Sequence, residues 1–143
     1  MMKTFHLQFD GYWREAVKQF TPEYSGIYLI YTCRYISEKN MVDLSELIYI
    51  GKAEKLRKRI MDHSEKEFSK LMNEGETLCY ACAPFELNDL EKVENALVYA
   101  EKPRGNTLLK SNYSYGDARI KIEGACDLLK YTDYTITTSN DEQ

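Results

Sequence analysis

A chain of 143 residues, 43% apolar and 29% charged, fits one domain with an ordinary hydrophobic core. No apolar run nears the roughly 20 residues of a membrane span and residues 1–6 lack a secretory apolar stretch, which predicts a cytoplasmic protein with no membrane partner. The net charge of −4 argues against a broadly basic nucleic-acid binder, yet residues 52–70 hold seven Lys/Arg against four Asp/Glu, leaving +3 there and −7 elsewhere.

In chain order, Phe5, Leu7 and Phe9 alternate with polar residues and predict a short strand. Residues 12–18 predict one or two helical turns, with Trp13 as a packing anchor. Pro22 marks a loop over 21–25. Two β-branched and aromatic runs, Gly26-Ile27-Tyr28-Leu29-Ile30-Tyr31 and Leu47-Ile48-Tyr49-Ile50-Gly51, predict strands over 26–32 and 47–50. Few charges interrupt them, so a central antiparallel pair covered on both faces is expected. The polar connector 33–46, with its turn at 37–40, is either an extended hairpin or a loop over a site.

Gly51 is expected to turn the chain sharply out of the second strand and to leave room for a ligand beside the main chain. A basic helix over about 54–63 follows, then a second helical stretch over 65–73 and a third strand over 77–85 that could lie at a sheet edge. The next helix starts near Asn88, a candidate cap, and runs to about 101; Pro103 stops it and 104–106 form a turn. Residues 111–117 read as loop, 118–123 as an exposed strand, 127–136 as a further short strand or turn, and 137–143 as a frayed end. Cys79 and Cys82 have a CxxC spacing, but on a strand that separation puts them on opposite faces, and no second pair or His follows. Buried thiols in a reducing compartment suit them better than zinc.

Three groups of residues could carry chemistry. Glu94 sits four after Leu90 and four before Val98, on or beside the apolar stripe of its helix, where a carboxylate is costly unless paired or bound to a cation. A salt bridge to a nearby Arg explains it as well as a functional role does. Arg59 and His63 are one turn apart on the basic helix and border the face marked by Leu56 and Ile60. A structural ion pair and a satisfied rim histidine are the plain alternatives for these two. Arg57 and Lys58 point outward. Tyr28 and Tyr49 are phenols on paired strands, and a catalytic phenol needs a nearby cation such as Lys52 to lower a pKa near 10. A cation, a base and an acidic residue together suit phosphodiester cleavage.

Gly26-Ile27-Tyr28 and Tyr49-Ile50-Gly51 resemble the two signatures of the GIY-YIG nuclease superfamily, and the spacing extends the resemblance. Arg59 is ten residues after Tyr49, His63 four further on, Lys52 follows Gly51, and Glu94, Pro103 and Asn106 match the family's acidic helix and the Asn beyond it. The resemblance covers about 24–108, in kind like the nuclease subunit of bacterial nucleotide excision repair. It implies an α+β fold, a small central antiparallel three-stranded sheet flanked by helices, as a single domain over 1–143 with extensions at 1–23 and 109–143. It implies an endonuclease acting on DNA or structured nucleic acid with one Mg²⁺ (or Mn²⁺) held by Glu94. Arg59 would neutralise the phosphate, and Tyr49, aided by Lys52, would activate water. Tyr28 and His63 would orient water or phosphate, Lys52, Arg57 and Lys58 would bind substrate, and Asn106 would brace the site. The Tyr28–Tyr49 separation exceeds the family's usual one, which enlarges the 33–46 connector. Two alternatives stay open: a non-catalytic nucleic-acid-binding module of this fold, and a subunit whose protein partner, seated on that connector, supplies targeting.

Overall fold

A computed structural model describes residues 2–106 and 113–138. Six strands form one sheet: β1 Lys3–Arg14, β2 Gly26–Ile36, β3 Met41–Ala53, β4 Thr77–Pro84, β5 Ala118–Gly124 and β6 Asp133–Ile136. Their order is β3-β2-β4-β1-β5-β6, antiparallel throughout except for the β1–β5 pair. Two α-helices, α1 Leu56–Asp62 and α2 Leu90–Glu101, pack on it. Among the described residues no helix is long and apolar enough to cross a membrane.

The class is α+β, but the sheet has twice the expected three strands. The stretches read as extensions supply the difference. Phe5, Leu7 and Phe9 of β1, Ala118, Ile120 and Ile122 of β5, and Tyr134 and Ile136 of β6 all join the core beneath α2. Strand β4 consequently lies inside the sheet, between β2 and β1, rather than at an edge. The helical turns expected over 12–18 form only from Glu15 onward, as a 3-10 helix. β1 runs on through Trp13 and Arg14, which pair with Tyr80 and Cys79, and a 3-10 turn follows over Glu15–Phe20. Cross-strand pairing has overridden local propensity there. Trp13 packs, half-buried, on the α1 side.

The sheet has a core on each face. Ile27, Leu29, Tyr31 and Cys33 of β2 pack toward α2 with Leu90, Val93, Leu97 and Val98. Tyr28 and Ile30 point the other way, onto Leu56 and Ile60 of α1 and Phe68 of a 3-10 turn over Glu65–Leu71. Period-two alternation thus explains an uninterrupted apolar run, since both faces of β2 are covered. Cys79 and Cys82 fall into opposite cores, and all four cysteines are free thiols.

The 33–46 connector is an extended hairpin. Cys33 pairs with Leu44 and Ile36 with Met41, around a turn over Ser37–Lys39 closed by Asn40 in the left-handed region. Residues 107–112, which include the start of the expected 111–117 loop, and residues 139–143 of the expected frayed end lie outside the described residues.

Candidate functional site

Gly51 does not turn the chain. It lies within β3, directly opposite Tyr28 of β2. A Cβ there would run into the Tyr28 ring, so the space that the missing side chain leaves is occupied by a phenol rather than by a ligand. Gly26 is constrained in the same way, since a Cβ on it would meet the Ala83 carbonyl of β4. The two signature glycines therefore let β2 lie close to both of its neighbours.

α1 is seated from both ends. Its first N–H groups, those of Leu56 and Arg57, donate to the carbonyls of Tyr24 and Pro22 at 3.1 and 2.9 Å. Arg57 is half-buried and, rather than pointing into solvent, donates through Nε to the Thr21 carbonyl at 2.6 Å and lies 3.4 Å from Glu23. Lys58 and Arg59 are exposed. The helix stops at Asp62, and His63 is its extended C-cap. This turns the imidazole inward under the sheet, with 1% of the residue exposed.

His63 organises the polar part of the site. Its Nδ1 is 2.9 Å from a Glu67 carboxylate oxygen, and its Nε2 is 2.7 Å from the Tyr28 hydroxyl. A carboxylate only accepts, so Nδ1 carries the proton, Nε2 is the acceptor, and Tyr28 donates to it. Burial holds the His63 pKa below its ordinary value, against the opposing pull of Glu67 and with the charges of Arg59 and Lys18 adding to the lowering. Burial likewise drives the Tyr28 phenol well above its ordinary range. Both groups are therefore neutral at pH 7, which fits the tautomer. Tyr49 covers this chain of bonds. Its ring lies 5.1 Å from His63, 5.9 Å from Tyr28 and 5.7 Å from Phe68, and it is half-buried where Tyr28 is fully buried.

Lys52 lies within β3 rather than past its end. Three residues along a strand reverse the face, so Lys52 is turned away from Tyr49. It lines a groove with Leu87, Leu90 and Glu91 at the start of α2. A second groove, lined by Lys55, Lys58, Arg59 and Asp62, adjoins the first at Glu54. Glu94 is one turn beyond Leu90 on α2, half-buried, with its carboxylate accepting from Asn95 at 3.2 Å. Asn106 closes the outer edge of β3. Its Oδ1 accepts from Ile50 N at 3.1 Å and its Nδ2 donates to Ile50 O at 2.9 Å.

Tyr28, Tyr49 and His63 are thus in direct contact, with Arg59 alongside. Lys52 and Glu94 belong to the α2 side of the sheet, and Asn106 grips the strand that carries Tyr49. Glu67 escaped the sequence reading, although its position four after His63 was a usable signal. Lys18, which donates to the His63 carbonyl at 2.7 Å, left no such signal, because 45 residues separate the two.

No family model matches the chain, and no solved structure matches it. Among curated proteins it is similar to the UvrABC system protein C of Hydrogenovibrio crunogenus, 28% identical over 119 residues, which is 80% of this chain and 17% of that relative. The chain therefore spans about a sixth of the relative's length.

Proposed function

We propose that the chain is a cytoplasmic, metal-dependent endonuclease that hydrolyses phosphodiester bonds in DNA or structured nucleic acid. The observation that carries this reading is the Tyr28–His63–Glu67 chain, buried at Tyr28 and His63 and open to solvent at Glu67, beneath a half-buried Tyr49 and beside an exposed Arg59. Similarity to a UvrABC component supports a role in nucleic-acid processing. So does the resemblance of the motifs around Tyr28 and Tyr49 to GIY-YIG nucleases.

The chemistry divides by exposure. Arg59 faces solvent and supplies the fixed cation that a phosphoryl group needs as charge builds on its oxygens. The Tyr49 hydroxyl is the phenol positioned to meet water or phosphate. Tyr28 and His63, buried and bonded to each other, act behind it by fixing the surface on which Tyr49 rests. Water adds to phosphorus as the bond to the leaving ribose oxygen breaks; the water's proton passes to the Tyr49 oxygen as that phenol gives its own proton to solvent, and the leaving oxygen takes a proton from solvent.

Among the described residues no three His, Cys, Asp or Glu side chains gather into a metal-holding group. A single carboxylate with waters and phosphate oxygens is a donor set that Mg²⁺ accepts, which fits Glu94 as its one protein ligand. The ion, Mg²⁺ or Mn²⁺, would supply Lewis-acid stabilisation of the phosphoryl oxygens. Substrate would lie along the two grooves that adjoin at Glu54, with Lys52 lining one and Arg59 the other.

Nicking of a supercoiled plasmid by the purified protein with Mg²⁺ tests it. Glu94→Gln and Arg59→Ala are expected to lose two or more orders of magnitude in rate, with Arg59→Ala still binding DNA. Tyr49→Phe tests the hydroxyl at little packing cost. Wild-type rates in Glu94→Gln would remove the metal site from the reading, and an inactive parent protein would favour the non-catalytic binding module.

A further inference from the structure

Lys18 is a buried cation that the reading above does not use. Its side chain is 11% exposed and comes from the 3-10 turn that follows β1, outside the stretch that carries the family motifs. An ammonium so placed is costly unless its donors are used. Here they are directed. Nζ lies 2.8 Å from a Glu15 carboxylate oxygen, 5.8 Å from the centre of the Tyr80 ring, and 2.7 Å from the main-chain oxygen of His63. Glu15 is in turn held by the Tyr80 hydroxyl, and the Lys18 carbonyl accepts from Thr21 Oγ1 at 2.7 Å. The lysine is thus fixed from its own side before it reaches across 45 residues to the end of α1.

That carbonyl matters because of what His63 does there. It is the extended residue that ends α1 (φ −78°, ψ 151°), and its backbone direction decides whether the imidazole reaches under the sheet. A lysine at the C-terminal end of a helix also complements the helix dipole. We propose that Lys18 is a positioning residue of the site: by gripping the His63 main chain it sets the imidazole against Tyr28 and Glu67, which makes the N-terminal segment part of the working unit. The catalytic consequence rests on the phosphodiesterase reading; the geometry does not. The groups that face His63 are Tyr28 from β2, the Tyr49 ring from β3, Arg59 from α1, Glu67 from the turn after it, and Lys18.

Two readouts on the full chain test this. The first is an NMR titration of the His63 imidazole without nucleic acid. The second is kcat and KM for plasmid nicking. Lys18→Met is paired with the double variant Lys18→Met, Glu15→Gln, which leaves no unpaired half-buried carboxylate and keeps an acceptor for Tyr80. In the single variant His63 is expected to titrate at higher pH, because a nearby positive charge is gone; the double variant loses one charge of each sign and so tests position, and there the Nδ1–H tautomer of His63 is expected to be lost, with kcat falling about tenfold or more and KM little changed in both. Lys18→Arg, which restores a charged donor, is expected to recover part of both. A folded double variant that keeps the parent's His63 tautomer and kcat overturns the proposal. If the His63 tautomer changes in the double variant but the parent cleaves no nucleic acid, the positioning role stands and the phosphodiesterase reading falls.

Discussion

At Gly51 an absent side chain decides where a phenol goes. With Tyr28 packed over its Cα, a Gly51→Ala change forces the ring off His63 or the strands apart. Overpacking of this kind costs about 1–3 kcal/mol, so a lower denaturant midpoint is expected, together with loss of the Tyr28–His63 bond. His63 makes a second measurable claim. Its pKa is lower folded than unfolded, so the unfolded chain binds the extra proton first. Its contribution to stability is therefore complete above about pH 6.5, declines as the pH falls below that, and levels off once the folded-state value is passed. Denaturant midpoints across this window should decline more in the parent than in His63→Gln, which cannot titrate. Equal slopes would mean that the imidazole is not held neutral by burial.

β3 shows how an edge strand can be rigid at one end. Its outer side is closed by the turn after α2, where Gly105 N donates to Ile48 O at 2.7 Å and the Asn106 amide makes both bonds to Ile50. An edge covered in this way cannot pair with another chain. Asn106→Ala leaves a buried N–H and a buried C=O unmatched beside Tyr49, at a cost of about 2–3 kcal/mol. Arg104→Ala, which breaks an ion pair with Glu46 in which the arginine is well exposed, should barely move the unfolding midpoint. Unfolding midpoints and amide exchange at Ile50 check the contrast; equal effects would mean that Asn106 is not a clamp. The β2–β3 pair, the polar turn at 37–40 and the stripe of α2 were all legible, because alternation and helical spacing are local signals. The depth of the sheet was not. Nothing in Phe5, Leu7 and Phe9 announces that they pair beside residues 118–124, since register between distant strands has no local code. Lys52 failed for a narrower reason: one strand boundary drawn three residues short moved it to the wrong face relative to Tyr49.

Over the whole molecule, an acidic protein carries a small basic surface, and not every arginine in the basic segment belongs to it. Arg57 is occupied by the Thr21 carbonyl and Glu23, whereas Lys55 and Lys58 are exposed and line the groove with Arg59. The two kinds of cation should separate in experiment. Reversing Lys55 and Lys58 to Glu removes two free cations and leaves the seating of α1 intact. Nucleic-acid affinity should fall, and the slope of log K against log salt should shrink by roughly 2, since each lost phosphate contact removes about 0.9. The denaturant midpoint should barely move, as for exposed charges generally. Arg57→Ala should do the opposite, lowering the midpoint through loss of its hold on the 21–23 loop while changing the salt slope little. Anisotropy titrations of a labelled duplex over a salt series, with unfolding curves for the same variants, measure both quantities. A double reversal that binds with the parent's affinity and salt slope would show that the nucleic acid lies on another face, and would detach the grooves that meet at Glu54 from the proposed reaction.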